Sequence, residues 1–170
     1  MKRLVILGGG ESGVGTALLG KEKGFEVFVS DFRNIKKGYK DVLIHHAIEW
    51  EEGQHSALKI MNADLVMKSP GIPETAVIVK QLLSAGVVVV SEIEFAAQFT
   101  DAQIIGITGS NGKTTTTMMV HHILKQAGEQ SVIAGNIGES FAKKIKTAAA
   151  YFVLELSSFQ LDGIKKFKSV

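Results

Sequence analysis

Apolar residues along the chain alternate between short runs typical of buried strands and longer segments with helical spacing. The run LVIL (4–7) predicts a strand that ends in glycines, and residues 14–23 predict a helix that Gly24 closes. Further strands are predicted at 25–31, at 64–68 and at the start of 87–95, where the strand runs into a short helix, and a longer helix is predicted over 74–85. This strand–helix–strand order predicts a parallel sheet with helices on both faces.

The same rhythm begins again near residue 100. It predicts the strand QIIGIT, the loop GSNGK, a helix over 114–127, the strand QSVIAG, a helix that ends near Lys146 and the strand YFVLEL. We therefore predict an α/β protein of two units, with a boundary between about 93 and 101. The first is a Rossmann-like parallel-sheet domain over 1–95, and the second is an incomplete P-loop α/β domain over 96–170.

Composition and charge narrow the class of protein. Hydrophobic residues make up 45% of the 170 residues and charged residues 21%, which is typical of a folded chain. The net charge is only +2, so it gives no reason to expect nucleic acid or an anionic membrane as a partner. Cysteine is absent, which excludes disulfides and thiolate metal sites. The N-terminal apolar run is too short for a signal peptide, and we expect a cytoplasmic protein.

The first glycine-rich loop, GGGESG (8–13), satisfies the pattern G-x-G-x-x-G between a predicted strand and a predicted helix. In that context the glycines allow the backbone to approach a pyrophosphate at the helix N-terminus. Asp31 ends the next strand, where an acidic residue usually meets a ribose hydroxyl. These features fit a dinucleotide or a uridine diphosphate sugar equally well, and a glycine-rich turn without a ligand stays an alternative.

The second glycine-rich stretch, GITGSNGKTTTT (106–117), is a partial P-loop. The full pattern G-x-x-x-x-G-K-[ST] needs a glycine where Ile107 stands. The remaining backbone can still surround phosphates, Lys113 can reach the terminal ones and Thr114 can place its hydroxyl on Mg²⁺. The alternative is a solvated lysine beside helix-capping threonines. The residues predicted to bind a nucleoside triphosphate are Gly109, Ser110, Asn111, Gly112, Lys113, Thr114 and Thr115.

Two such loops in one chain imply two phosphorylated ligands that meet in a shared cleft. A dehydrogenase needs only one of the loops, whereas a kinase or ligase that uses ATP to activate a nucleotide-linked substrate needs both.

Four segments together resemble the Mur ligase family, and the resemblance covers the whole chain. The segments are GITGSNGKTT, SPGIP (69–73), GNIG (135–138) and ELSSFQL (155–161). The order and spacing of SPGIP and ELSSFQL favour the members that add D-glutamate. Folylpolyglutamate synthases are similar only from about residue 100, because they lack the first domain.

The resemblance implies a step of peptidoglycan synthesis in which ATP and Mg²⁺ activate the carboxylate of UDP-N-acetylmuramoyl-L-alanine for attack by D-glutamate. It assigns Lys113 and Glu155 as catalytic, Thr114 and Glu155 as metal ligands, and Asn136 as a substrate contact. Without the resemblance, Glu155 would read as a strand-end salt bridge and Asn136 as a turn residue. The resemblance also implies a monomeric full-length enzyme.

The resemblance further implies a UDP-sugar pocket in the first domain. Within that pocket the charge of Glu11 would repel a pyrophosphate unless the side chain turns away. The residues assigned to the pocket are Gly10, Glu11, Ser12, Asp31, Phe32, Arg33, Ser69 and Gly71.

The chain also departs from the family. Family members continue well beyond the length of this chain and supply a metal-binding histidine, a carbamylated lysine and a domain that closes over ATP. We therefore expect a truncated piece that keeps some ligand affinity and has no ligase activity. Two rival functions stay open: an NAD-binding module or dehydrogenase fragment, and a non-catalytic nucleotide-binding interaction protein. The histidine pairs 45–46 and 121–122 are interpreted as surface or structural.

Overall fold

The computed structural model describes residues 1–161, 163, 164 and 167, so most of the C-terminal KKFKSV lies outside the described residues. Within the described part, strands and helices alternate. The strands are β1 (Arg3–Leu7), β2 (Glu26–Asp31), β3 (Glu49–Glu52), β4 (Leu65–Lys68), β5 (Val88–Val90), β6 (Gln103–Ile107), β7 (Ser131–Gly135) and β8 (Tyr151–Glu155). The helices are α1 (Glu11–Glu22), α2 (Lys37–His45), α3 (Ala57–Ile60), α4 (Val77–Ser84), α5 (Glu92–Ala97), α6 (Lys113–Gln126), α7 (Phe141–Lys144) and α8 (Ser158–Leu161).

The first sheet has five strands in the order β3-β2-β1-β4-β5, and all neighbouring strands are parallel. From β1 the chain moves outward to β2 and β3, then crosses back to β4 on the other side. The loops that follow β1 and β4 therefore lie side by side at the carboxyl edge of the sheet, the usual position of a ligand crevice in an open α/β sheet. The predicted parallel α/β architecture is confirmed.

The second sheet has three parallel strands in the order β6-β8-β7. The last strand in sequence, β8, lies in the middle. The loops after β6 and β7 and the end of β8 therefore meet at one edge of the sheet, although their residues are far apart in sequence.

Alternating residues of β1 reach the two faces of the first sheet. Leu4 and Ile6 belong to one buried hydrophobic cluster, whereas Val5 and Leu7 belong to another. The cluster of Leu4 and Ile6 continues into the second sheet, where it includes Phe152 of β8. Each sheet draws its strands from one side of the predicted boundary, but the division at residues 95 and 96 falls inside α5 and stays a prediction.

Four elements are absent from the sequence predictions: α2, β3, α3 and α8. The sequence of β3 is EWEE, and it lies at the edge of its sheet, where β2 is its one partner strand among the described residues. An edge strand can carry charges because part of it stays in water, so no apolar run marks it. The helix α1 also begins at Glu11 rather than at residue 14. In the described part of the chain, no helix is both long and apolar enough to span a membrane.

Candidate functional site

The first candidate site is a cavity of about 710 Å³ at the carboxyl edge of the first sheet. It lies among the loops that follow β1 to β4 and the start of α4, and its volume lies within the range of small-molecule pockets. The eight residues predicted for a UDP-sugar pocket all line it: Gly10, Glu11, Ser12, Asp31, Phe32, Arg33, Ser69 and Gly71. The structure therefore brings these residues together, while their contact with a ligand stays a prediction.

Close backbone packing shapes the loop after β1. Gly8 has φ +101°, a conformation that favours glycine. A Cβ atom on Gly13 would lie 1.8 Å from the carbonyl oxygen of Gly8, so a side chain does not fit at this position. Gly10 precedes α1 and provides no side-chain cap, which leaves the first N–H groups of the helix available to an anion.

Asp31 connects the loops that follow β1 and β2. Its Oδ2 accepts a hydrogen bond of 2.7 Å from the backbone N–H of Gly9, and its Oδ1 accepts one of 2.8 Å from that of Arg33. Both carboxylate oxygens therefore hold backbone at the rim of the cavity. The predicted ribose contact would use the remaining lone pairs of the same two oxygens.

Glu11 directs its carboxylate to α7 of the second unit. Its Oε1 accepts a hydrogen bond of 3.2 Å from the backbone N–H of Ser140 and lies 2.8 Å from Nζ of Lys143. Tyr39 donates to Oε2 at 3.3 Å, and burial, followed by the charge of Glu11, raises the pKa of Tyr39. The positive charge of Lys143 offsets the repulsion that a pyrophosphate beside Glu11 would otherwise meet.

The second candidate site surrounds the loop that connects β6 to α6. Gly112 has φ +76° immediately before α6, so this turn favours glycine. Nζ of Lys113 donates a hydrogen bond of 2.7 Å to the carbonyl oxygen of Gly109, which folds the side chain back over its own loop. In this loop Gly109, Ser110, Asn111 and Gly112 are exposed, and so is Thr115 in the first turn of α6.

Glu155 organises the carboxyl edge of the second sheet. It is only 2% exposed. Its Oε2 accepts a hydrogen bond of 2.7 Å from the hydroxyl of Thr114, and its Oε1 accepts one of 2.9 Å from the amide of Asn136. A Cβ on Gly135 would lie 2.4 Å from the carbonyl oxygen of Glu155, so glycine permits the close approach of the loop after β7. The strand order β6-β8-β7 thus brings together Thr114, Asn136 and Glu155, which are predicted to act together.

A hydroxyl and a carboxylate are hard oxygen donors, which is the donor class that Mg²⁺ prefers. Among the described residues, no group of three or more His, Cys, Asp or Glu side chains could hold a metal ion. Mg²⁺ commonly takes one or two protein oxygens and completes its shell with water and phosphate oxygens. Thr114 and Glu155 fit that pattern.

The cavity of the first unit is linked to α7 of the second unit. The residues that line the cavity include none from the loop after β6. One such link is Glu11, which lines the cavity and pairs with Lys143 of α7. The shared cleft stays a prediction.

Three polar residues beside the cavity have no counterpart in the sequence predictions. The hydroxyl of Ser30 lies 2.7 Å from both Oε1 of Glu51 and Nδ1 of His55. These residues come from β2, β3 and the loop after β3, and no spacing in the sequence indicates that they meet.

Fold and sites together define an α/β protein with two glycine-rich loops, each placed between a parallel strand and a helix. Two family models match the chain: the MurD N-terminal domain over residues 3–77 and the Mur ligase middle domain over residues 107–170. The chain belongs to the Mur ligase family.

Curated relatives support this assignment. The chain is 58% identical over 168 residues to a UDP-N-acetylmuramoylalanine–D-glutamate ligase of Christiangramia forsetii, covering 98% of this chain and 38% of that protein. It is 55% identical over 170 residues to the protein of the same name from Bacteroides thetaiotaomicron, covering 99% and 38% respectively. The chain therefore spans 38% of the length of both relatives.

A solved structure supports the fold. A UDP-N-acetylmuramate:L-alanyl-gamma-D-glutamyl-meso-diaminopimelate ligase from Neisseria meningitides superposes with a TM-score of 0.61 at 24% identity, covering 91% of this chain and 52% of that one. At this identity the likeness shows the fold alone.

Proposed function

We propose that this chain provides the UDP-sugar-binding unit and the first part of the ATP-binding unit of a ligase that adds D-glutamate to UDP-N-acetylmuramoyl-L-alanine. The names of the relatives at 58% and 55% identity support this substrate pair. The whole reaction belongs to peptidoglycan biosynthesis. The 170-residue chain by itself is proposed to bind ligands without ligase turnover.

The reaction joins a carboxylate to an amine, and a carboxylate oxygen is a poor leaving group. In the proposed sequence an oxygen of the alanyl carboxylate takes the γ-phosphoryl group of ATP, and ADP leaves. The amine nitrogen of D-glutamate then attacks the carbonyl carbon of the acyl phosphate. A C–N bond forms, the C–O bond to phosphate breaks, and the amine loses a proton.

The hydrogen-bonded group of Thr114, Asn136 and Glu155, with Thr114 next to Lys113 in the chain, is the observation that carries the proposal. Lys113 would neutralise charge on the β- and γ-phosphates once its ammonium exchanges the carbonyl of Gly109 for phosphate oxygens. Thr114 and Glu155 would hold Mg²⁺, which supplies charge neutralisation on the phosphates when bound. Asn136 already positions the Glu155 carboxylate and would contact substrate.

The cavity of the first unit would hold the UDP moiety of the substrate. The N-terminus of α1 would receive the pyrophosphate, because its first N–H groups have no side-chain cap. Arg33 and Asp31 line the same cavity and would contact the pyrophosphate and the ribose. The ion pair between Glu11 and Lys143 keeps the adjacent carboxylate compensated.

The first experiment measures stabilisation by Mg-ATP in a thermal-shift assay. ATP should raise the melting temperature of the unaltered chain and should not raise that of Lys113→Ala, because the terminal phosphates lose their cation. Lys125→Ala is the matched control, since Lys125 is an exposed lysine further along the same helix. An equal shift in all three proteins would remove the ATP site from the proposal.

The second experiment compares ligands for the cavity. UDP and NADH are titrated separately and followed by thermal shift or by the fluorescence of Trp50. Preference for UDP supports the proposal, whereas preference for NADH favours a dinucleotide-binding module.

A third experiment measures phosphate release from the purified chain with both substrates and ATP. Release should stay at background, and turnover would contradict the expected inactivity of the piece.

A further inference from the structure

His55 lies in the wall of the cavity, in the loop that follows the edge strand β3. Its ring faces the ring of Phe32, with centroids 5.9 Å apart and an interplanar angle of 43°. Phe32 is 68% exposed and lines the same cavity. An exposed aromatic ring on a cavity wall offers a planar ligand group a surface to stack on.

Hydrogen bonds behind the wall determine which nitrogen of His55 carries the proton. Burial alone would raise the pKa of Glu51, but hydrogen bonds from Ser56 and Ser30 outweigh burial and leave this pKa below its usual value. Glu51 is therefore a carboxylate, which only accepts hydrogen bonds. The Ser30 hydroxyl has one proton and donates it to Oε1 of Glu51 at 2.7 Å.

With its proton used, the Ser30 oxygen acts as an acceptor toward Nδ1 of His55, also 2.7 Å away. Nδ1 must then carry the hydrogen. Burial lowers the pKa of His55, despite the charges of Asp31 and Glu51, so the ring is neutral at pH 7. A neutral imidazole protonated on Nδ1 leaves Nε2 as a hydrogen-bond acceptor. The structure records no hydrogen bond to Nε2 from the residues that it describes.

The two common pyrimidines differ in what they offer to such an acceptor. Uracil carries a donor, N3–H, at the position where cytosine carries a lone pair. An acceptor fixed in the wall therefore attracts uracil and repels the matching edge of cytosine. A site that holds a buried polar partner in one orientation discriminates more strongly than an apolar wall, because the wrong ligand leaves that partner unpaired.

We propose that His55 is a specificity-determining residue of the cavity, with Nε2 accepting the N3–H of a uracil ring that stacks on Phe32. The proposal rests on the proposed function, since it takes the cavity as the site of a uridine diphosphate group. It adds the residue that selects the base, together with the Glu51–Ser30 chain that fixes the tautomer.

The test measures dissociation constants of UDP and CDP by isothermal titration calorimetry. The unaltered chain should bind UDP about tenfold more tightly than CDP, the size expected for one hydrogen bond gained with UDP and one acceptor left unpaired with CDP. His55→Leu should weaken UDP about tenfold and leave CDP nearly unchanged, so that the preference disappears.

His55→Gln is the second variant, because its amide offers both an acceptor and a donor. It should keep most of the UDP affinity and gain affinity for CDP. His45→Leu is the matched control, since His45 is exposed at the end of α2 and outside the cavity lining. It should leave both constants unchanged. If His55→Leu does not fold, the glutamine variant decides: a retained UDP preference in it overturns the proposal.

Failure of this inference differs from failure of the proposed function. If the unaltered chain binds UDP and CDP equally and no variant at position 55 changes either constant, the cavity is a diphosphate site and His55 does not read the base. If the unaltered chain binds neither nucleotide but binds NADH, the proposed function fails and the selection of uracil fails with it.

Discussion

The two glycine-rich loops have similar sequences, but they require glycine for different physical reasons. In the first loop, a Cβ on Gly9 would lie 2.6 Å from the side chain of Ile35, and one on Gly13 would lie 1.8 Å from backbone. In the second loop, a Cβ on Gly112 would meet no atom within 4 Å, and one on Gly109 would approach backbone only to 3.7 Å. The first loop needs glycine mainly for space, although Gly8 also has φ +101°, and the second loop needs it for positive φ, +145° at Gly109 and +76° at Gly112.

The difference indicates where each loop obtains its conformation. The first loop is packed against its neighbours, so its shape depends on the fold of the first unit. Substitutions in this loop should therefore mainly change the stability of the protein. The second loop is exposed and is held by Lys113 on its own carbonyl and by Thr114 on Glu155. Its substitutions should therefore appear mainly in ligand binding.

The largest effect is expected for Gly13→Ala. The added methyl group would overlap the carbonyl oxygen of Gly8, and neither backbone segment can move without shifting β1 or α1. We expect a loss of at least about 3 kcal/mol in the free energy of unfolding, the upper range for overpacking. Urea denaturation followed by circular dichroism measures it.

Gly10→Ala is the control in the same loop, because its Cβ would meet no atom within 4 Å and its φ is −86°. Its stability should change by less than about 0.5 kcal/mol. Equal stability of the two variants would mean that the first loop is not packed as described.

The next effect concerns Glu92, which is 2% exposed on α5 and accepts a hydrogen bond of 2.6 Å from the backbone N–H of Ala142. Burial raises the pKa of Glu92 to about 7, and the charge of Glu11 adds to the rise, while hydrogen bonds from Ala142 and Phe141 oppose it. The folded pKa therefore exceeds the unfolded one, so the folded state favours the protonated acid.

This contribution to stability is complete below the unfolded-state pKa of 4.5, falls as pH rises and is lost above about 7. A shift of this size corresponds to about 3 kcal/mol. Glu92→Gln mimics the protonated acid, so it should match the unaltered chain near pH 4 and be more stable by up to about 3 kcal/mol at pH 8. Urea midpoints across that range measure the difference, and parallel curves for the two proteins would contradict a buried, proton-binding Glu92.

Prediction from sequence succeeded where local signals and topology agree. Glu155 ends an apolar strand, and in a parallel sheet the strand ends meet, so its proximity to the loop of Thr114 follows once the order of strands is known. The order of the strands cannot be derived from local sequence patterns. Before the structure, only the resemblance to the family grouped Glu155 with Thr114. The strand EWEE and His55 were missed because charged edge strands lack an apolar pattern and because His55 acquires its partners only through β2 and β3.

A smaller effect on stability is expected for Gly112→Ala. A side chain at φ +76° costs about 1 kcal/mol, and no atom lies close enough to add a clash. Gly128→Ala at the other end of α6 is a matched control, because Gly128 has φ +84° and equally open surroundings. Both variants should lose similar stability in urea, but only Gly112→Ala should lose the ATP-dependent thermal shift. The same shift in both would mean that the second loop does not carry the nucleotide.

The smallest effect on stability is expected at the contact between the two units. The Lys143–Glu11 pair is partly exposed, with side-chain exposures of 22% and 36%, so Lys143→Ala should cost less than about 1 kcal/mol. Lys143→Ala should affect the binding of UDP more than it affects stability. Glu11 lines the cavity, and without Lys143 its negative charge would stand uncompensated beside a pyrophosphate. We expect UDP to bind several-fold more weakly, and the loss should shrink in high salt.

Lys144→Ala separates charge compensation from a general effect on α7, because Lys144 pairs with Glu139 and contacts no residue of the first loop through that ion pair. Its stability loss should be similar, while its affinity for UDP should stay that of the unaltered chain. If Lys143→Ala and Lys144→Ala bind UDP equally, the second unit does not act on the cavity through Glu11. The first loop would then owe its shape to the packing of Gly8, Gly9 and Gly13 alone, and the contrast between a packed loop and an open one would hold without any electrostatic link between them.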